Sequence, residues 1–254
     1  MKLAPRLQAM LKHLKEQGYT SIDTFVDKFS VTPQTVRRDL NQLEAAGLIQ
    51  RFHGGAELQS NTVNTEYSSR LSQNQTAKET IAKKVAQMIP DGASLFINIG
   101  TTTEVVAQHL RDHKHLQIVT NNIHVAANLA GKEDFSVIIA GGEVRHSDGG
   151  IIGEATSDFI KQFQMDFAII GISGISEEGA LLDFDFKEVK VSQAILDNAN
   201  TIILVADHSK FGRRAMVKQG ELAQIDVLVT DAQPPASLQS IIKEHDIELH
   251  VVSP

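Results

Sequence analysis

The chain has 254 residues, 42% of them hydrophobic, a net charge of −7 and no cysteine. That is enough apolar mass for true cores, and enough length for a small domain plus a medium one; disulfides and cysteine-held metal sites are excluded. No apolar run approaches the roughly 18 residues that cross a bilayer, the charges of MKLAPRLQAMLKHLKEQG leave no signal-peptide core, and the lack of thiols suits a reducing compartment, so a cytoplasmic protein without membrane association is expected.

The charge is unevenly spread. Residues 1–60 carry eight Lys/Arg against six Asp/Glu, a net of +2, and the remaining residues carry −9. The mildly basic segment permits contact with nucleic acid; the acidic remainder does not invite it.

Residues 6–17 place Leu7, Met10, Leu11 and Leu14 at helical spacing before Gly18. Residues 21–29 gather Ile22, Phe25, Val26 and Phe29 on one face, with Thr20 or Ser21 as cap. In SVTPQ, Thr32 can cap and Pro33 stands at the first helical position, where a missing N–H costs nothing. That third helix runs from about 33 to Gly47, with Val36, Leu40 and Leu43 facing inward. LIQRFHGGAEL then alternates apolar and polar residues and turns at Gly54-Gly55, as a short hairpin does. Three helices and a hairpin spell a winged helix-turn-helix over 1–58. The polar, aperiodic stretch 59–75 reads as a linker.

From 76 to 254 the pattern changes. Apolar runs recur at 94–98, 116–120, 136–141, 167–173, 201–206, 226–230 and 248–252, with helical patterns between most of them. Strands apolar on both faces and alternating with helices predict an α/β domain with a mostly parallel sheet, Rossmann-like in its layering.

A DNA-reading helix presents its N-terminal side chains to the major groove. Here those are Thr32, Gln34, Thr35, Arg37 and Arg38. Gln and Arg suit base edges, and Thr suits a phosphate or a thymine methyl. Arg37 and Arg38 lie about 100° apart on the helix, so both can leave the core side. Arg51 and His53 of the hairpin are placed near the backbone or the minor groove. Asp39 reads as structural.

In open α/β sheets ligands sit at the carboxyl ends of strands. Those ends here read Asn98-Ile99-Gly100-Thr101-Thr102, then Asn121, then Gly141-Gly142, then Gly171, then Lys210. Small residues opening a helix offer free N–H groups to an anion, and Lys210 can add a positive charge. A phosphosugar isomerase is the rival reading. It needs a carboxylate base, for which Asp183, Asp185, Glu188 and Asp207 are candidates by type. The ten histidines are scattered along the chain, and neither metal nor cofactor is expected.

SVTPQTVRRDLNQLEAAGLIQRFHGGA, with its RRDL and HGGA in order, resembles the signature of the DeoR family of bacterial regulators, and the resemblance runs on through the second domain. It implies a helix-turn-helix at residues 20–39 and a sensor domain related in fold to ribose-5-phosphate isomerase. It implies a repressor, not an enzyme, that leaves double-stranded operator DNA on binding a phosphorylated sugar or polyol. DGGIIGEATSDFI, QMDFAIIGISGI and DHSKFGRRAMV favour glycerol 3-phosphate as that effector. Gly100, Thr101 and Thr102 would hold the phosphate, Lys210 would assist, and Glu188 and Lys190 would line the opposite wall. Asn98 departs from the family's usual Asp. Paired half-sites on DNA further predict a homo-oligomer, a dimer or tetramer.

Overall fold

The computed structural model describes residues 3–17, 19–46, 48–52, 54–58 and 67–253. Its N-terminal part holds α1 (Pro5–Gln17), β1 (Thr20–Ser21), α2 (Ile22–Phe29), α3 (Pro33–Ala45), β2 (Ile49–Phe52) and β3 (Gly55–Leu58). The three helices and the hairpin stand where periodicity puts them. The stops read at Gly18 and Gly47 lie outside the described residues.

Ser21, not Thr20, caps α2: its Oγ accepts the Thr24 N–H at 3.1 Å. Thr20 and Ser21 form a third strand, pairing antiparallel with Ala56 and Gly55 of β3. Two residues are too few to show an alternation in sequence, so that strand was illegible. The close approach requires glycine at 55, where a Cβ would lie 2.3 Å from the Thr20 carbonyl oxygen. Leu7, Met10, Leu14, Phe25, Val36, Leu40 and Leu43 are buried together beneath this small sheet, with Leu11, Val26 and Phe29 partly buried at their margin.

The stretch read as a linker is a correction in part. Tyr67–Ser72 is a helix, α4, and Asn74 begins the next one. No residue of α4 is buried, so no apolar periodicity announces it. Side-chain bonds to the domain that follows hold it in place.

That domain continues with α5 (Gln75–Met88), β4 (Ser94–Ile97), α6 (Thr101–His109), β5 (Gln117–Thr120), α7 (Ile123–Leu129), β6 (Ser136–Ile139), β7 (Glu143–Val144), β8 (Ile151–Ile152), α8 (Glu154–Ile160), β9 (Met165–Ile170), β10 (Gly174–Ile175) and β11 (Ala180–Asp183). It ends with α9 (Phe186–Asp197), β12 (Ala199–Val205), β13 (Val217–Glu221), β14 (Val227–Thr230), α10 (Ala236–Glu244) and β15 (Glu248–Val251). The seven expected apolar runs form one sheet, ordered β15-β14-β12-β9-β4-β5-β6. Every neighbouring pair in it is parallel.

Both faces of the sheet are covered. Leu95 and Ile97 pack with Ile81, Val85, Val106 and Leu129 of α5, α6 and α7. Phe96, between them, points the other way, to Ile160, Val191, Ile195 and Leu238 of α8, α9 and α10. This two-sided burial is why the strands read as continuous apolar runs. Two small antiparallel sheets, β7-β8 and β10-β11-β13, lie outside the main one. Among the described residues, no helix is long and apolar enough to cross a membrane.

The strand order has a reversal. The chain leaves β4 toward β5 and β6, then returns to β9 on the other side of β4. The connections after β4 and β9 therefore diverge, and a crevice opens between them at the carboxyl ends of the strands.

Candidate nucleic-acid interface and effector site

In the N-terminal part, the Thr32 Oγ1 accepts the Thr35 N–H at 3.3 Å, and the two hydroxyls lie 3.0 Å apart. Thr32 is thus partly spent as the cap of α3. Gln34, Arg37 and Arg38 are exposed, and Thr35 is half-buried. Neither arginine has an ion pair or hydrogen bond to another described side chain, which leaves both guanidinium groups open to an external anion. Asp39 is buried and takes a two-pronged bond from Arg6, Nε to Oδ2 at 2.6 Å and Nη2 to Oδ1 at 3.1 Å. It ties α1 to α3 and holds the arginine-bearing helix against the core. Arg51 is half-buried; its guanidinium donates to Asn41 and its N–H donates to Glu44 at 3.1 Å, so it braces the sheet against the last turns of α3. His53 lies outside the described residues.

The crevice between the β4 and β9 ends is lined by Ile99, Gly100, Thr101 and Thr102 on one side and by Gly171, Ile172 and Ser173 on the other. Asp183, Glu188, Lys210 and Arg70 complete it. Gly100 caps α6 at φ +154° with no side chain over the helix end, so the first N–H groups of α6 remain available to an anion. A Cβ at Gly100 would lie 3.3 Å from the Thr103 Oγ1. That hydroxyl is turned inward, to the Asn98 carbonyl at 2.8 Å.

Two cations, Arg70 and Lys210, line the crevice, and Lys78 lies close enough to act on both. Burial pushes Lys210 down to about 8, against the pull of Asp207, with Arg213, Arg70 and Lys78 adding repulsion. Burial likewise pushes Lys78 down to about 8, Asp207 opposing and Arg70 adding. An anion set among them would relieve that repulsion.

The opposite wall is acidic. Arg145 reaches Asp148 (Nε to Oδ1, 2.8 Å; Nη2 to Oδ2, 2.7 Å), Asp185 at 2.6 Å and Glu188 at 2.6 Å. Burial pushes Glu188 up to about 8, with Asp183 raising it further and Arg145 opposing. Burial also raises Asp183. The crevice is therefore bipolar, with helix N–H groups and cations at one side and buried carboxyls at the other.

Of the residues singled out in sequence, Gly100, Thr101, Thr102, Gly171, Glu188 and Lys210 meet in this crevice. Five others do not. Asn98 is buried: its Nδ2 donates to Ser192 at 2.9 Å and its Oδ1 accepts the Ile99 N–H at 2.7 Å, so it shapes the turn instead of facing a ligand. Asn121 does not line the crevice; its Nδ2 donates to the Ile151 carbonyl at 3.1 Å, and its Oδ1 is buried without a partner among the described residues. Gly141 gives its carbonyl to the Thr156 hydroxyl at 2.9 Å. Gly142, at φ +153°, lies so close to that hydroxyl that a Cβ would sit 2.0 Å from it. Lys190 pairs with Glu154 at 3.1 Å and covers the Phe186 ring, lining a separate surface groove between α8 and α9. A strand's carboxyl end alone does not show which of its residues turn inward.

Sequence reasoning also missed Arg70, Lys78 and Tyr67. The Tyr67 hydroxyl donates to Glu104 at 2.7 Å and its ring stacks on His124. Lys78 donates to the Arg70 carbonyl. Arg70 lies on α4 and Lys78 on α5, so no helical spacing in the sequence joins them; the bond to the Arg70 carbonyl does.

A helix whose open arginines face outward, followed by a doubly covered parallel sheet with an anion crevice at its switch point, defines a ligand-sensing DNA-binding regulator. Residues 6–62 match the DeoR-like helix-turn-helix domain and residues 73–232 match the DeoR C terminal sensor domain; the chain belongs to the DeoR family of transcriptional regulators. It is 52% identical to the glycerol-3-phosphate regulon repressor of Escherichia coli K12, over 99% of this chain and 100% of that one. It is 47% identical to the Haemophilus influenzae protein of the same name, over 98% and 97%, and 41% identical to the Escherichia coli repressor CsqR, over 96% and 94%. Solved structures similar to this chain include a ribose 5-phosphate isomerase from Methanocaldococcus jannaschii, with TM-score 0.41 and 14% identity over 55% of each chain.

Proposed function

We propose that this chain represses genes of glycerol 3-phosphate metabolism by binding operator DNA through α3, and that glycerol 3-phosphate, held in the crevice, releases it. Gln34, Arg37 and Arg38 contact the duplex, and Thr35 and Arg51 support them at its edge. The phosphate sits on the N-terminus of α6, at Gly100, Thr101 and Thr102, with Lys210 beside it. Asp183 and Glu188 accept the hydroxyls of the glycerol part. The protein acts in the cytoplasm as a homo-oligomer, because one small head spans a single half-site and two-fold operators match paired heads.

The observation that carries this reading is the crevice itself: an uncapped helix N-terminus and Lys210 face the buried carboxyls of Asp183 and Glu188 at the switch point of the sheet. That pattern suits a small molecule with a phosphate at one end and hydroxyls at the other. The full-length relatives that carry the glycerol-3-phosphate regulon in their name support the choice of effector. An isomerase is disfavoured, because Glu188 and Asp185 are both engaged by Arg145 and a fused DNA-reading head suits a sensor.

The effector must prefer the DNA-incompetent arrangement, since equal affinity for both states shifts nothing. Retardation of a cognate operator, with and without glycerol 3-phosphate, tests this. A loss of operator affinity of about 5- to 150-fold is expected, with glycerol inert. Unchanged retardation at saturating effector would refute it.

A further inference from the structure

The free space in the crevice is about 30 Å³, room for one or two waters. A phosphorylated polyol does not fit until a wall moves. The strand ends and α6 belong to the packed core. Of the elements that line the crevice, α4, the six-residue helix that supplies Arg70, is the one with no buried residue. Its polar and ring ties to the domain are Tyr67 to Glu104, the Tyr67 ring on His124, Arg70 to Asp148, and Lys78 to the Arg70 carbonyl.

The Arg70–Asp148 tie is exchangeable. The bond is long, Nη2 to Oδ2 at 3.2 Å. Asp148 loses little without it, because Arg145 grips both carboxylate oxygens and the Gly150 N–H adds a third donor at 3.3 Å. Arg70, by contrast, is under-used. Its Nε is buried with no hydrogen-bond partner, a donor turned away from water that costs free energy until an acceptor arrives. A phosphate offers three acceptor oxygens to a guanidinium fork. Arg145 cannot compete for that phosphate, being committed to Asp148, Asp185 and Glu188.

We propose that α4 is the latch that couples the crevice to the DNA-binding head. The arriving phosphate takes Arg70 from Asp148, filling its idle Nε–H, and α4 shifts with it. Tyr67 lies nine residues after Leu58, the last residue of β3, so that shift acts on the chain leading into the head. Arg70 is thus a positioning residue as well as a ligand contact. This inference rests on the effector reading above.

The test uses the full-length protein and two titrations. Calorimetry gives the affinity for glycerol 3-phosphate, and fluorescence anisotropy gives operator affinity without effector and at saturating effector. The ratio of those two operator affinities is the coupling factor. In Arg70→Ala the effector binds about 10-fold more weakly, and at saturation the coupling factor falls toward one. Mere loss of a contact would leave full release once enough effector is added. Tyr67→Phe spares the crevice and removes one tie of the closed latch; effector affinity rises by up to roughly 10-fold, the worth of a hydrogen bond to a carboxylate. Full operator release by saturating effector in Arg70→Ala, or Tyr67→Phe binding effector no more tightly than the parent, overturns the latch while the effector site stands. Absence of binding heat in the unaltered protein overturns the effector site and the latch with it.

Discussion

Raising the pH from 7 to 9 should weaken effector binding by about 10- to 100-fold. Burial holds Lys78 and Lys210 at about 8. Each is then charged about nine-tenths of the time at pH 7 and about one-tenth at pH 9. Losing one cation costs an anion about 10-fold, and losing both about 100-fold, which is about 1.4 to 2.7 kcal/mol. Glu188, held up at about 8 by burial and Asp183, ionises over the same interval and acts in the same direction. Below about pH 6 the phosphate itself takes up a proton, so affinity should peak near neutrality. The sign also fixes the proton balance. A bound anion raises both lysines, so near pH 8 binding takes up protons, and the calorimetric heat changes with the ionisation enthalpy of the buffer. Calorimetry at pH 7, 8 and 9 in two buffers measures both effects. A dissociation constant constant within twofold across that range, with no buffer dependence, would refute the assignment of buried lysines to the anion.

Arg37→Ala combined with Arg38→Ala should abolish operator retardation at physiological salt and flatten the salt dependence by about one logarithmic unit of slope per lost phosphate contact; the circular dichroism of the chain should not change. Gly55→Ala should unfold the head, because its Cβ would meet the Thr20 carbonyl at 2.3 Å; operator binding is lost while effector heat persists. Phe25→Ala, at a side chain with no exposure, should cost the head about 3–5 kcal/mol. Calorimetric unfolding should then show the head melting at a lower temperature than the sensor domain, and a single unshifted transition would speak against the separate core.

The parallel sheet was legible because burial on both faces leaves each strand as an unbroken apolar run, as at residues 201–206. The head was legible because Thr32-Pro33 marks a helix start and Val36, Leu40 and Leu43 keep the helical period. Asp39, which follows two arginines, is structural, and Arg6 is its partner. The crevice was half legible. GTT at a strand end carries its own physics, in a glycine at positive φ and a helix end left open. Asn98 and Asn121 have the right composition and the wrong direction, and only tertiary hydrogen bonds show that. Arg70 escaped because α4 buries nothing, and a helix held by polar ties has no hydrophobic period to read.

The most direct measurement is calorimetric titration of the full chain and its Lys210→Ala variant with glycerol 3-phosphate, and with glycerol as control. A crevice that holds the phosphate predicts binding of the phosphorylated compound alone, weakened at least about 10-fold in the variant. Equal affinity in the variant, or equal binding of glycerol, would contradict it.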